Sequence, residues 1–433
     1  MRKGILKLSV LLVVVAAVIA VASIAISQNS RVKRDELYRV IDLFSDSFAI
    51  IQSDYVEEID PKTLVYGALK GMLLSLDAHS QFMDPETYNE LKIDTTGQFG
   101  GLGIEITIKD GLLTVVTPIE DTPAWRAGIK AGDRIVKIDG ELTRDISLAE
   151  AVKKLRGKPK TEINMTVLRE GEGKLLDFKI VREIIKIKDI KDARILDDEI
   201  AYIRLVEFRQ DTPRDFKAAL NELKKQGMKG LILDLRNNPG GLLDAAVRIA
   251  DNFLERDKLV VSTRGRKDDQ NMEFSSLNKK PDLDLPLVIL VNGGSASGSE
   301  IVAAALQDYK RAIIVGTKTF GKGSVQTVIP LSDGSAIRLT TSKYFSPNGR
   351  VIHGEGVEPD IAVQGGEIKL LADETTIAED IFEELEDESE DKSKEKFAEK
   401  YKTDNQLMRA MDVLRAIKIF ESTKSGQVSN AKS

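Results

Sequence analysis

The chain has 433 residues and a net charge of -6, with 42% apolar and 30% charged residues. That is ordinary globular composition with room for several cores, and the acidic balance, without a basic patch interleaved with aromatics, excludes nucleic acid as a general partner. Cysteine is absent and the only histidines are His79 and His353, so disulfides, a thiol nucleophile and thiolate metal sites are excluded, and no metal or cofactor is expected.

Arg2, Lys3 and Lys7 precede an uncharged apolar run from Leu8 to Ile26. The run is near the lower limit for a spanning helix and long for the core of a signal peptide. Ala20, Ala22, Ser23 and Ala25 offer a cleavage site. Residues 1–27 therefore read equally as a removed signal or a retained membrane anchor. No cysteine follows the run, so a lipoprotein anchor is excluded. Either way the body is expected to be exported, to the periplasm or the extracytoplasmic face of the membrane. Residues 28–96 read as a helical segment. Leu37, Val40, Ile41, Phe44, Phe48 and Ile51 recur at helical spacing between Asp35 and Tyr55, and Pro61 to Leu76 gives a second helix. His79, far in sequence from every other motif, is expected to cap or pack.

Residues 97–182 read as a small β-rich domain. Val115 to Pro118, Arg134 to Ile138 and Ile163 to Leu168 are strands, and Ser147 to Leu155 is an amphipathic helix. The stretch Pro123-Ala124-Trp125-Arg126-Ala127-Gly128-Ile129-Lys130-Ala131-Gly132-Asp133 resembles the PDZ signature. That resemblance implies a loop of Gly101, Leu102 and Gly103 presenting N–H groups to a peptide's C-terminal carboxylate. Ile104 and Ile106 would line the groove where the peptide adds as a strand.

Residues 183–365 read as an α/β core. Ala201 to Phe208 and Gly230 to Leu235 are strand-like, Thr212 to Lys225 is a helix, and Leu243, Val247, Ala250 and Leu254 mark another helix face. The alternation through Val315 is the βαβ pattern. The apolar run Pro286 to Val291 leads into Asn292-Gly293-Gly294-Ser295-Ala296-Ser297-Gly298-Ser299-Glu300, and Ile301 to Tyr309 is helical. A serine in that turn lies near a helix N-terminus, where free N–H groups favour negative charge. Lys322 stands between Gly321 and Gly323, in a loop between strand-like Ile313 to Val315 and Val325 to Ile329. Gly316-x4-Gly321-Lys322 is not a P-loop, because Gly323 replaces the magnesium-binding hydroxyl and a strand follows where a helix is needed. Residues 366–433 comprise a charged stretch, Glu379 to Lys396, and an amphipathic helix from Asp404 to Ile419.

The serine turn, the lysine loop and Asp234-Leu235-Arg236-Asn237-Asn238-Pro239-Gly240-Gly241 together resemble the carboxy-terminal processing peptidases, or tail-specific proteases. The resemblance implies a crotonase/ClpP-like α/β protease core with an inserted PDZ domain and helical terminal segments. It assigns Ser297 as nucleophile, by its offset to Lys322, over the neighbouring Ser295 and Ser299. Lys322 would be the general base and Gln326 would orient it. An ammonium has no lone pair, so Lys322 must be deprotonated, which burial favours. Gly298 and either Gly240 or Gly241 would supply the oxyanion N–H donors. Many family members have alanine where this chain has Gly298, which should loosen that N–H. Many also have an acid where Thr317 stands, and its absence counts against a contact that links the PDZ domain to the core; Arg156, at the end of the PDZ helix, is the candidate for that contact from the PDZ side. The substrates implied are proteins or peptides with free C-termini. An adaptor lipoprotein and a homodimer through the terminal helices are compatible partners. The competing reading is a non-catalytic PDZ scaffold on a degenerate protease core.

Overall fold

The computed structural model describes residues 36–366 and 403–430. The apolar run Leu8 to Ile26 and the charged stretch Glu379 to Lys396 lie outside the described residues. Among those described, no helix is long and apolar enough to cross a membrane. The chain divides into two compact units, the first ending at Phe82 and the second starting at Met83.

The first unit contains a helix over 36–54 and α1 (Pro61–Leu74). Asp60 caps α1 by accepting the Lys62 N–H at 3.1 Å, with Pro61 in the first turn. The Tyr66 and Phe82 rings lie 4.7 Å apart. The helically spaced apolar residues Leu37, Val40, Ile41, Phe44 and Ile51 are all exposed.

In the second unit, α2 (Pro85–Thr96) starts at the Asp84 cap and ends at Gly97, whose φ of 67° is left-handed. Strands β1 (Gln98–Gly101), β2 (Ile104–Lys109) and β3 (Leu112–Pro118) follow, then the short helix α3 (Pro123–Arg126), β4 (Arg134–Ile138) and β5 (Glu141–Leu142). Helix α4 (Leu148–Leu155), β6 (Glu162–Leu168), β7 (Leu175–Val181) and β8 (Glu183–Lys186) complete the insertion. The sheet runs β2-β3-β4-β6-β7, with β5 on β4. Its alternating residues Leu113, Val115, Ile135, Ile163, Met165 and Val167 form a core with Ala151 and Leu155 of α4. The buried Arg182 guanidinium donates to the carbonyls of Lys154 and Leu155, closing the end of α4. Strands β1 and β8 pair antiparallel from Gln98↔Lys186 to Gly101↔Glu183, so the insertion leaves and returns through one ribbon.

The core sheet is built from β9 (Ile190–Ile195), β10 (Ile200–Leu205), β11 (Gly230–Asp234), β14 (Leu287–Val291), β15 (Ile313–Gly316) and β18 (Ile361–Ala362), in that spatial order. All neighbours are parallel except β9 and β10. Strand residues alternate between two buried faces. Ala201, Ile203, Leu231, Leu233, Leu287 and Ile289 pack with α5 (Thr212–Lys225), α6 (Leu243–Asp251) and α7 (Gly298–Asp308). Tyr202, Ile232, Val288 and Leu290 face Leu407, Ala410, Met411 and Leu414 of α8 (Asn405–Asn430). The C-terminal amphipathic helix therefore docks on its own core sheet. A second, antiparallel sheet, of which the sequence marked only the strand Val325 to Ile329, runs β16-β17-β12-β13, from β12 (Leu259–Gly265), β13 (Met272–Ser275), β16 (Ser324–Pro330) and β17 (Ala336–Phe345).

Candidate active site

Three loops meet at the carboxyl ends of the adjacent parallel strands β11, β14 and β15, the usual place for a site in such sheets. They are Leu235–Leu242, Asn292–Ser297 and Thr317–Gly323. Asn292 knits the first two: its Oδ1 accepts the N–H groups of Asn237 (2.9 Å) and Gly294 (3.0 Å). The buried Asn238 knits them again, its carbonyl accepting from the Ala296 N–H (3.0 Å) and the Ser299 hydroxyl (2.9 Å).

Ser297 precedes α7 with φ 51° and ψ -109°, a conformation unusual for a residue with a side chain. Its neighbours differ from it. The Ser295 hydroxyl donates to the Leu235 carbonyl and the Ser299 hydroxyl to the Asn238 carbonyl, and both residues are 0% exposed. Ser297 is 9% exposed, and its hydroxyl donates to no acceptor among the described residues. Of the three serines, only Ser297 has an uncommitted hydroxyl.

The strained turn is held by Glu300, which is wholly buried. Oε2 accepts the backbone N–H groups of Ser297 and Lys322, each at 2.8 Å. Oε1 accepts the Gly321 N–H and the Thr319 hydroxyl, each at 2.6 Å. Two donors per oxygen fill the acceptor capacity of a carboxylate. Its place in the first turn of α7 adds the favourable helix dipole. One side chain thus ties the serine turn to the lysine loop. The sequence reading did not single out Glu300; the spacing Ser297-x-x-Glu300, a capping-box pattern, is the signal that marks it.

Lys322 is half-buried, and both flanking glycines permit close backbone approach. A Cβ on Gly323 would lie 2.2 Å from the His353 nitrogen, and one on Gly321, φ 90°, 3.2 Å from Gly354. Burial lowers the Lys322 pKa from its ordinary value, and the positive charge of Arg338 pushes the same way, against Glu300. Among the described residues Lys322 Nζ and Ser297 Oγ are not hydrogen-bonded to each other. Gln326 donates instead to Thr340 Oγ1 (2.9 Å) and Ser324 Oγ (3.2 Å), not to Lys322.

The glycines also separate. Gly240, φ 99°, lies against the serine turn: an added Cβ would be 2.7 Å from both Ser297 Cβ and the Gly298 nitrogen. Its own N–H is spent on Asn238 Oδ1 at 2.9 Å. The Gly241 N–H meets no acceptor among the described residues, and Gly298, first in α7, has no intrahelical acceptor. Gly298 packs against Phe208, where an alanine Cβ would come within 3.2 Å of the ring.

In the insertion, Gly101, Leu102, Gly103, Ile104 and Ile106 line one groove of about 90 Å³ together with Leu155 and Arg156. Gly103 has φ 77° and abuts Thr122, and the N–H groups of Leu102 and Gly103 meet no acceptor among the described residues. Strand β2 is an edge, pairing with β3 alone. Arg156 lies over the Phe99 ring, 4.6 Å from its centroid, inside the insertion rather than against the core.

These features match known proteins. The pattern of Peptidase family S41 fits residues 199–363, and that of a PDZ domain residues 114–169. Residues 15–87 match the Activating protease CtpB N-terminal domain. The Carboxy-terminal-processing protease of Bartonella bacilliformis is 46% identical over 81% of this chain and 81% of its own. The chain belongs to peptidase family S41. A second relative, the Carboxy-terminal processing protease CtpB of Bacillus subtilis, is 36% identical over 75% of this chain and 68% of its own. Among solved structures, the photosystem II D1 C-terminal processing protease aligns at 31% identity over 74% of this chain and 92% of that one, with a TM-score of 0.43. The two curated relatives make the chain a member of the carboxy-terminal processing proteases, with a PDZ domain ahead of its α/β core.

Proposed function

We propose that the chain is an exported serine endopeptidase that takes protein C-terminal tails in the PDZ groove and cleaves them through an acyl-enzyme on Ser297. The observation that carries this reading is the Glu300 carboxylate. It fixes the lysine loop to Ser297, whose hydroxyl, unlike those of Ser295 and Ser299, donates to no acceptor among the described residues. Neutral Lys322 takes the Ser297 hydroxyl proton as Oγ attacks the scissile carbonyl. The tetrahedral oxyanion is received by the Gly298 and Gly241 N–H groups. The proton then passes to the leaving amine, and water hydrolyses the ester by the same route.

In this reading the resting dyad is open, and substrate closes it; catalytic hydrogen bonds often tighten only in the complex. Gln326 exchanges its present partners for Lys322 on closure. The tail adds as a strand to the β2 edge, its carboxylate on the Leu102 and Gly103 N–H groups. Arg156, which lines the groove beside Phe99, responds to its occupancy from within the insertion. Export rests on the apolar N-terminal run, as signal or anchor. The open apolar stripe of the helix over 36–54 suits a homodimer, and a lipoprotein adaptor would deliver substrate to the PDZ domain. The open dyad also favours the competing reading of a non-catalytic PDZ scaffold.

The test is digestion of unfolded casein by the soluble body beside Ser297→Ala and Lys322→Ala. Turnover by the parent, lost in both variants, is expected. Equal digestion by all three would remove the site assignment, and no digestion by the parent would favour the scaffold.

A further inference from the structure

The C-terminal helix reaches the oxyanion loop through one guanidinium. Asp404 caps α8, its Oδ1 accepting the Leu407 N–H at 3.1 Å. The same carboxylate takes Arg236 Nη1, at 2.9 Å to Oδ1 and 2.8 Å to Oδ2, and Gln406 Oε1 takes it at 3.1 Å. The other edge of the guanidinium grips Asp234, Nε at 3.0 Å from Oδ1 and Nη2 at 2.7 Å from Oδ2. Asp234 is 1% exposed and also accepts the Tyr202 hydroxyl at 2.7 Å. Arg236 is therefore a two-ended clamp between the end of β11 and the start of α8. The next five residues are Asn237 to Gly241, the loop that carries the Gly241 N–H and binds the serine turn through Asn238.

Docking alone does not require this clamp. Leu407, Ala410, Met411 and Leu414 already seat α8 on the sheet, and Arg415 and Lys418 pair with Asp198 and Glu199 at its far end. Removing charges from water is costly, so a largely buried ion pair adds little net stability but fixes position well. We infer that Asp404 is a positioning residue of the peptidase: through Arg236 it sets the oxyanion loop, so that this charged contact, rather than the apolar seating of α8, is needed for the transition state to be stabilised. This rests on the Ser297 reading above.

The test uses the whole soluble body and two variants. Asp404→Asn keeps a good helix cap but removes the charge. Leu414→Ala loosens α8 without touching Arg236. Each is assayed for kcat and KM on a peptide with a free apolar C-terminus. The inhibition constant of a peptide boronate, whose tetrahedral adduct on serine needs the oxyanion donors, is measured beside them. Asp404→Asn should lower kcat about tenfold and raise the boronate constant by a similar factor, short of the roughly 100-fold or more that losing a donor outright costs. KM should hold within about twofold, as expected for an interaction made only in the transition state. Leu414→Ala should lower the melting midpoint yet leave kcat and boronate binding unchanged. Parental kcat and boronate binding in Asp404→Asn would overturn the inference, as would an equal boronate loss in Leu414→Ala. Retained turnover in Ser297→Ala would instead overturn the reading beneath it.

Discussion

Replacing Glu300 by glutamine keeps the shape of the side chain and removes one of two acceptor oxygens. The amide must then choose. If its oxygen stays with the Ser297 and Lys322 N–H groups, the NH2 faces the Gly321 N–H and the Thr319 hydroxyl. Thr319 can rotate to accept, since its oxygen receives the Val357 N–H at 2.7 Å and keeps a second lone pair, but a backbone N–H has no such choice. The buried Gly321 N–H is left facing another donor. A charge-assisted hydrogen bond lost under burial costs about 3 kcal/mol, so the melting midpoint should fall by several degrees. The lysine loop and the strained Ser297 lose their common anchor, and a displacement near 1 Å costs about 100-fold in turnover. The assay pairs calorimetry with kcat/KM on a fluorogenic tail peptide and with the rate of labelling by a fluorophosphonate. Parental stability together with parental labelling in Glu300→Gln would refute the argument that this carboxylate assembles the site.

Two further outcomes follow from the same packing. Because burial and Arg338 hold the Lys322 pKa below the ordinary lysine value, the free amine should appear at lower pH than in an exposed lysine. Acylation should rise with pH along a limb centred below that value, and Arg338→Gln should move the limb upward, reducing turnover at neutral pH; an unmoved profile would count against Lys322 as the base. Arg182→Met should strip the end of α4 of its donors and destabilise the PDZ domain by about 2 kcal/mol, seen as weaker tail-peptide binding in titration calorimetry with unchanged fluorophosphonate labelling.

Much of the core was legible because its parallel strands are buried on both faces. Runs such as Leu287–Val291 are continuously apolar, and small residues punctuate their ends. Ser297 and Lys322 could be placed in loops following adjacent strands for the same reason. Glu300 was hidden because a glutamate in the first turn of a helix ordinarily reads as a surface cap. Only the loop Thr319–Lys322, folded back from farther along the chain, buries it. Helix α2 lies within the segment read as helical, but its bounds were not legible because it has no buried residue and so no stripe to detect. The rest of the second sheet escaped because β17 carries Arg338 and Lys343 among half-buried neighbours, without the alternation that marks a one-sided strand. Resemblance implied that Gln326 faces Lys322, but a glutamine on β16 answers to its cross-strand partner, and Thr340 lies opposite.

The ribbon of β1 and β8 fixes the two attachment points of the insertion one strand spacing apart, about 4.8 Å, whatever lies beyond it. The scaffold therefore sees only a hairpin stem. A foreign module whose own ends meet as an antiparallel pair could be spliced at Gly101 and Glu183 without disturbing the parallel sheet. The PDZ module and the peptidase core are then separable inheritances, free to be recombined.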